Sequence, residues 1–246
     1  MCYHKQLDTT FDSLLSRYNV GQSPQSEELF KPVYHENGFS FLGSPLVCAD
    51  SPSSFTWGIW GFVPFWSRSE EDALMIRGKT LNCISEEMAT KPSFREAVKR
   101  GQRCLVPCTG FFEWRHIGKN KYPYFIRSTK QKIFSLAGLY SDWDTAGGKK
   151  LRTYTVLTTS ANRLMEQIHN SKKRMPVIVS DSSESKWIGG GELMKDEISE
   201  ICKPYDTQWM EAYSISKLIT DRKALTKNIP EVTEYMNYPE LSEILS

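Results

Sequence analysis

Two widely separated residues carry the chemistry that stands out in this chain. Cys2 directly follows the initiator methionine. A small second residue allows that methionine to be removed, which leaves a cysteine bearing both an α-amine (pKa about 8) and a thiol (about 8.5). Such a 1,2-aminothiol condenses with an aldehyde through a Schiff base and closes to a five-membered thiazolidine ring. The competing reading is an idle tail, because chain ends are usually loose. The second residue, Glu113, stands among aromatic rings in Phe111-Phe112-Glu113-Trp114. Desolvation there would raise its pKa and suit it to general acid work near neutral pH. On an edge strand the same carboxylate would simply face water. Cys104-x3-Cys108 has half of a metal-site spacing, but no second ligand pair follows and the four histidines are scattered. Neither a metal nor an organic cofactor is expected.

The elements that must position these groups are legible from pattern. The stretch Gln102–Arg115 reads Q-R-C-L-V-P-C-T-G-F-F-E-W-R, an apolar strand, a turn at Thr109-Gly110 and a second strand. Strand alternation puts Phe112 and Trp114 on one side and Phe111 and Glu113 on the other. Phe11, Leu14, Leu15 and Tyr18 recur at helical spacing behind a capping box over Thr9–Asp12. Gly21–Asp50, with Pro24, Pro32 and Pro45, reads as loop with brief strands. Trp57–Trp66 reads as a glycine-bearing strand, with Trp57 and Trp60 in the core and Trp66 at the surface. A helix is expected over about Glu86–Arg100, with Asn82 before it as a loop or cap residue. Strands are expected over Tyr122–Arg127, Lys132–Tyr140 and Arg152–Thr158, the last after a turn at Gly147-Gly148. Ala161–Ile168 reads as helix with His169 at its end, where a histidine is ordinarily a cap. Strands follow at Val177–Val179 and near Trp209–Ile215, with acidic helices over about Ser183–Ile188 and Glu192–Cys202. There is no internal repeat and no low-complexity segment.

Composition bounds the function. With 246 residues, 39% hydrophobic and 12% aromatic, the chain can bury a proper core. No stretch has the form of a signal peptide or of a membrane span. Six cysteines without framework spacing argue for reduced thiols and a cytoplasmic setting. The net charge of +2 conceals an asymmetry. Residues 91–132 hold eleven Lys/Arg against two Glu, whereas residues 181–246 hold seven against thirteen Asp/Glu. A basic stretch interleaved with Phe111, Phe112, Trp114, Tyr122, Tyr124 and Phe125 suits a single-stranded nucleic acid, whose phosphates and unpaired bases it could contact together. A solvated basic face without a partner is the alternative.

Several short motifs occur together: Cys2, W-G-F-V-P-F-W (Trp60–Trp66), Asn82-x-x-x-Glu86, K-P-S-F-R (Lys91–Arg95), R-C-L-V-P-x-x-G-F-F-E-W (Arg103–Trp114) and I-H-x(4)-R-M-P (Ile168–Pro176). In this combination and order the chain resembles the SOS response-associated peptidase (SRAP) family, whose members crosslink to abasic sites in single-stranded DNA. The resemblance runs from about Cys2 to Ser216, leaving residues 217–246 as an extension of one domain over 1–246. It implies an α+β fold, a strongly curved, mainly antiparallel, barrel-like sheet with peripheral helices, and a monomer. It also implies roles. Cys2 would be the nucleophile, Asn82 would orient its amine, Glu113 would act as acid or base, and His169 would assist proton transfer. Trp66 and Trp114 would contact bases, Arg174 would lie near phosphates, and His4 and Arg103 would complete the DNA-facing set. Abasic single-stranded DNA would be the partner, with no membrane involved. Two positions depart from the family pattern, which opens Cys-Gly-Arg where this chain has Cys2-Tyr3-His4 and carries arginine where this chain has Ile84. Each lost phosphate contact would cost roughly 1.5–3 kcal/mol. Two further readings stand beside this one. A thiol peptidase would pair Cys2 with His169, and a DNA-binding module would bind reversibly without covalent chemistry.

Overall fold

The computed structural model describes residues 2–21, 30–221 and 223–241; Met1 and Pro24 lie outside them. The strands are β1 (His4–Leu7), β2 (Val33–Asn37), β3 (Gly43–Cys48), β4 (Ser51–Trp60), β5 (Asn82–Ile84), β6 (Arg103–Cys108), β7 (Gly110–Ile117), β8 (Asn120–Ser128), β9 (Phe134–Asp144), β10 (Lys150–Ser160), β11 (Arg174–Pro176), β12 (Ile178–Val179) and β13 (Met210–Ser214). The described helices are α1 (Phe11–Tyr18), α2 (Glu70–Arg77), α3 (Arg95–Lys99), α4 (Arg163–Ile168), α5 (Asp181–Trp187) and α6 (Lys195–Ile201).

Strands β10, β4, β3, β6 and β9 pair in that order, and β9 pairs back onto β10, which closes a five-stranded barrel. The β10–β4 and β10–β5 pairings are parallel; the rest of the closure is antiparallel. A second sheet, β13-β8-β7-β1-β2, is antiparallel throughout. The α+β, barrel-like architecture expected from the sequence is the one observed. Among the described residues no helix is long and apolar enough to cross a membrane.

Alternation along β6 explains the two-sided core. Cys104, Val106 and Cys108 face the inner cluster with Trp60, Phe111 and Tyr154, while Leu105 faces an outer cluster with Leu14, Trp187 and Ile201 from α1, α5 and α6. The outer helices therefore cover the barrel wall, and β6 is apolar at both phases because both its faces are buried.

Local differences from the sequence expectation have local causes. Helix α1 spans the expected residues, but its N-cap is Thr10, whose hydroxyl accepts from the Ser13 N–H at 3.2 Å. The helix expected from residue 86 to 100 shrinks to α3 behind a single turn at Ser85–Glu87. Pro92 lacks an N–H and biases Lys91 away from helical backbone, so the pattern cannot run through. Helix α2 lay in a segment without an assignment. Its Ser69 cap, acidic first turn and Arg77 in the last turn are a proper start and stop. The strand expected at Val177–Val179 is β12 at Ile178–Val179, and a separate short strand, β11, precedes it at Arg174–Pro176.

Candidate active site

β7 is not an edge strand. It pairs with β8 along its length and with β1 through Lys5 opposite Phe111 and Gln6 opposite Gly110. Gly110 is required there, because a Cβ would lie 2.2 Å from the Phe125 ring. That register lays the start of the chain alongside Glu113. Cys2 is wholly buried, and its thiol donates to the His4 carbonyl at 3.6 Å. Burial, reinforced by the neighbouring Glu113 and Cys108, pushes the Cys2 thiol well above its ordinary range.

Asn82 heads β5, which hydrogen-bonds in parallel with β10. Its side-chain Nδ2 donates to the Cys2 carbonyl at 2.9 Å. Among the described residues its Oδ1 is buried without a hydrogen-bond partner. The residue read from sequence as a loop or cap is thus a strand residue that holds the backbone of Cys2.

Glu113 is only 3% exposed, and burial pushes its carboxyl up to about 8. Its Oε2 lies 3.9 Å from Nε2 of His169, the C-cap residue of α4. His169 Nδ1 lies 2.7 Å from the Arg174 carbonyl. A carbonyl can only accept, so Nδ1 carries the hydrogen and Nε2 of the neutral ring presents its lone pair. Burial lowers the imidazole to about 4. Near neutral pH the pair is therefore a protonated acid facing a neutral base, with a single proton to move between them.

Glu113 and His169 line a cleft of about 780 Å³ with Tyr3, His4, Ile84, Trp114, Lys121, Lys172 and Arg174, while Cys2 and Asn82 are buried behind its lining. The Arg174 guanidinium is committed to both Glu86 oxygens at 2.8 Å and to the Thr158 carbonyl at 2.6 Å. That pairing lowers Glu86 to about 2. Trp114 is half-buried, with its ring edge-on to His4 at 4.8 Å. His4 in turn shares a 2.8 Å hydrogen bond with His35, and burial lowers it to about 3, so it is uncharged near neutral pH.

Two expected site residues lie elsewhere. Trp66 is 46% exposed, as expected of a surface ring, but it lines a separate hollow of about 400 Å³ with Arg68, Met75 and Lys79. Arg103 is a correction. It is 4% exposed and donates to the Trp187 and Gly191 carbonyls, each at 2.5 Å. It clamps α5 to the barrel and cannot offer its charge to DNA. Conversely, Tyr3, His35, Lys121 and Lys172 border the cleft or its wall without having been singled out. Lys172 sits inside the I-H-x(4)-R-M-P motif, the one signal that could have drawn attention to it.

Comparison with known proteins decides the family. The description "SOS response associated peptidase (SRAP)" matches residues 1–222. The chain belongs to the SRAP family. The abasic site processing protein YoqW of Bacillus subtilis is 34% identical over 238 residues, covering 95% of this chain and 99% of that one. The abasic site processing protein HMCES of Gallus gallus is 32% identical over 165 residues, 59% of this chain and 48% of that larger protein. Among solved structures, a Bacteroides thetaiotaomicron protein superposes with a TM-score of 0.88 at 37% identity, covering 96% of this chain and 100% of that one. A Bordetella bronchiseptica protein at 21% identity, with a TM-score of 0.74, shares the fold.

Proposed function

We propose that this chain forms a covalent crosslink to abasic sites in single-stranded DNA, using Cys2 as the mature N-terminus. The observation that carries the reading is the buried Glu113 carboxyl set 3.9 Å from His169 Nε2 beside Cys2, where burial raises the acid and lowers the imidazole. An abasic sugar reacts through its open-chain aldehyde, and opening the hemiacetal needs a proton delivered to the ring oxygen. Glu113 holds such a proton near neutral pH. The α-amine of Cys2 then adds to the aldehyde, and the carbinolamine loses water with acid assistance to give the Schiff base. The thiol adds to that carbon, its proton passes to the Glu113–His169 pair, and the thiazolidine closes. The balance is aldehyde plus aminothiol giving ring plus one water. Asn82, fixed on the Cys2 carbonyl, orients the amine, and Trp114 is placed for a flanking base to stack on it.

The same geometry argues against a thiol peptidase. A peptidase nucleophile needs its thiol pKa lowered, whereas burial holds the Cys2 proton more tightly than usual. In the crosslinking sequence the thiol attacks an already electrophilic iminium carbon, so a protonated resting thiol is no handicap. The test is intact mass spectrometry of the protein after incubation with an abasic oligonucleotide. The parent should gain the oligonucleotide mass less one water, stably and without borohydride. Cys2→Ala should lose this adduct, keeping at most a Schiff base that borohydride traps. Undiminished borohydride-independent adduct in Cys2→Ala would overturn the proposal.

A further inference from the structure

Two thiols outside the proposed chemistry face each other across the barrel wall. Cys48 of β3 lies opposite Cys104 of β6 in the antiparallel register. The next pair along, Ala49 and Arg103, is hydrogen-bonded through the Ala49 N–H and the Arg103 carbonyl at 2.9 Å. Cys48 and Cys104 are therefore a non-hydrogen-bonded pair, in which Cα atoms approach to about 4.5 Å and the side chains share one face. A disulfide spans Cα separations of about 4.4–6.8 Å. Both thiols point into the barrel, since they belong to the inner cluster while their neighbours Val47 and Leu105 belong to the outer one. Gly138, paired with Cys104 across β9, keeps room for the sulfur, because a Cβ there would stand 2.8 Å from Sγ.

The end of the barrel near this pair is held by Arg152, which bridges Asp50 and Asp142 and lies 4.3 Å over the Tyr140 ring. The Cys104 thiol and the Arg152 charge together hold Cys48 below the usual thiol range against the effect of burial. Burial pushes Cys2, Cys83, Cys104, Cys108 and Cys202 the other way. Cys48 is thus the thiol readiest to ionise, and its partner is already in place.

We infer that Cys48 and Cys104 form a redox-active dithiol that closes to a cross-strand disulfide under mild oxidation, stapling β3 to β6 while Cys2 stays reduced. With hydrogen peroxide as oxidant, the Cys48 thiolate attacks one peroxide oxygen, giving a sulfenic acid and hydroxide. The Cys104 thiol then attacks the Cys48 sulfur and releases water, and the hydroxide takes up the proton that Cys48 had lost. Two thiols and one peroxide yield one disulfide and two waters.

The experiment treats the full chain with one equivalent of hydrogen peroxide, unfolds it in N-ethylmaleimide and maps the peptides by mass. The expected result is four alkylated cysteines instead of six, and one dithiothreitol-reversible link joining the Cys48 and Cys104 peptides. The Cys48→Ser variant should keep all five remaining cysteines alkylated, and Cys104→Ala should lose alkylation at most on Cys48, as an unresolved sulfenic acid, with no disulfide link. A link through any other pair, a two-thiol loss in either variant, or six alkylated cysteines in the treated parent would overturn the inference. If a variant fails to fold, the parent's peptide map alone decides.

Discussion

Replacing Glu113 by glutamine keeps the shape of the side chain and removes its titration, so its effect should depend on pH in a calculable way. The carboxyl titrates near 8 in the folded chain and near about 4.3 when unfolded. Its folded pKa is raised, so its stabilising contribution is complete below about pH 4.3 and is lost as pH rises towards 8. At pH 7 the unfolded chain gains roughly 4 kcal/mol from ionising this group, nearly three pH units above its free value, while the folded chain gains almost nothing. Above pH 8 the difference levels off at about 5 kcal/mol, a large part of the roughly 5–15 kcal/mol that holds a domain together. Glu113→Gln should therefore match the parent near pH 4, apart from a constant offset, and be more stable by several kcal/mol at pH 8–9. Urea unfolding of both proteins at half-unit intervals from pH 4 to 9 measures this directly. In parallel, single-turnover crosslinking by the variant should slow by a substantial part of the ~10²–10⁴-fold that a positioned acid supplies. Stability curves that run parallel across that pH range would refute the buried-acid reasoning, and an unchanged crosslinking rate would remove Glu113 from the mechanism.

Trp114→Ala should weaken single-strand binding by about 1–3 kcal/mol if a base stacks on the ring; a fall in melting temperature with unchanged affinity would assign the ring to packing instead. Affinity for single-stranded DNA should fall linearly on a log–log plot as salt rises, through phosphate contacts from the basic segment, and a flat titration would exclude that mode of binding. Arg103→Met should destabilise the fold by roughly 3 kcal/mol, because two hydrogen bonds from a charged donor to the Trp187 and Gly191 carbonyls are lost. Its DNA affinity, measured below the melting transition, should match the parent's.

Much of the local architecture was legible because it is encoded by neighbours in sequence. The period of Phe11, Leu14, Leu15 and Tyr18 marks α1, and the alternation through Phe111–Trp114 places Glu113 and Trp114 on opposite faces of β7 as expected. The closure of the barrel was not legible: the β9–β10 hairpin has a local signal in the Gly147-Gly148 turn, but the β4–β10, β3–β6 and β6–β9 pairings that close the ring join strands distant in sequence, whose partners are set by packing. The same limit applies to single residues. Arg103 and Arg115 look alike in a basic stretch, yet the first is buried against α5 because β6 is covered on both faces. Asn82 looks like a cap, and only the β5–β10 ladder carries its amide to the Cys2 carbonyl. Whether Glu113 met water or a core depended on β1 pairing along the far edge of β7, a contact spanning more than a hundred residues of sequence.

The departures at His4 and Ile84 acquire a physical meaning from the site around them. His4 could have kept a charge in place of the family's arginine, but its hydrogen bond to His35 and its burial leave it neutral. Ile84 supplies no charge at all. Arg174 is already paired with Glu86, so among the described residues the uncommitted charge on the cleft wall comes mainly from Lys121 and Lys172. Under the proposed chemistry this trade is tolerable. Phosphate contacts set how tightly the strand is held before reaction, and each is worth roughly 1.5–3 kcal/mol. A covalent ring closed on Cys2 does not depend on that reservoir once it has formed.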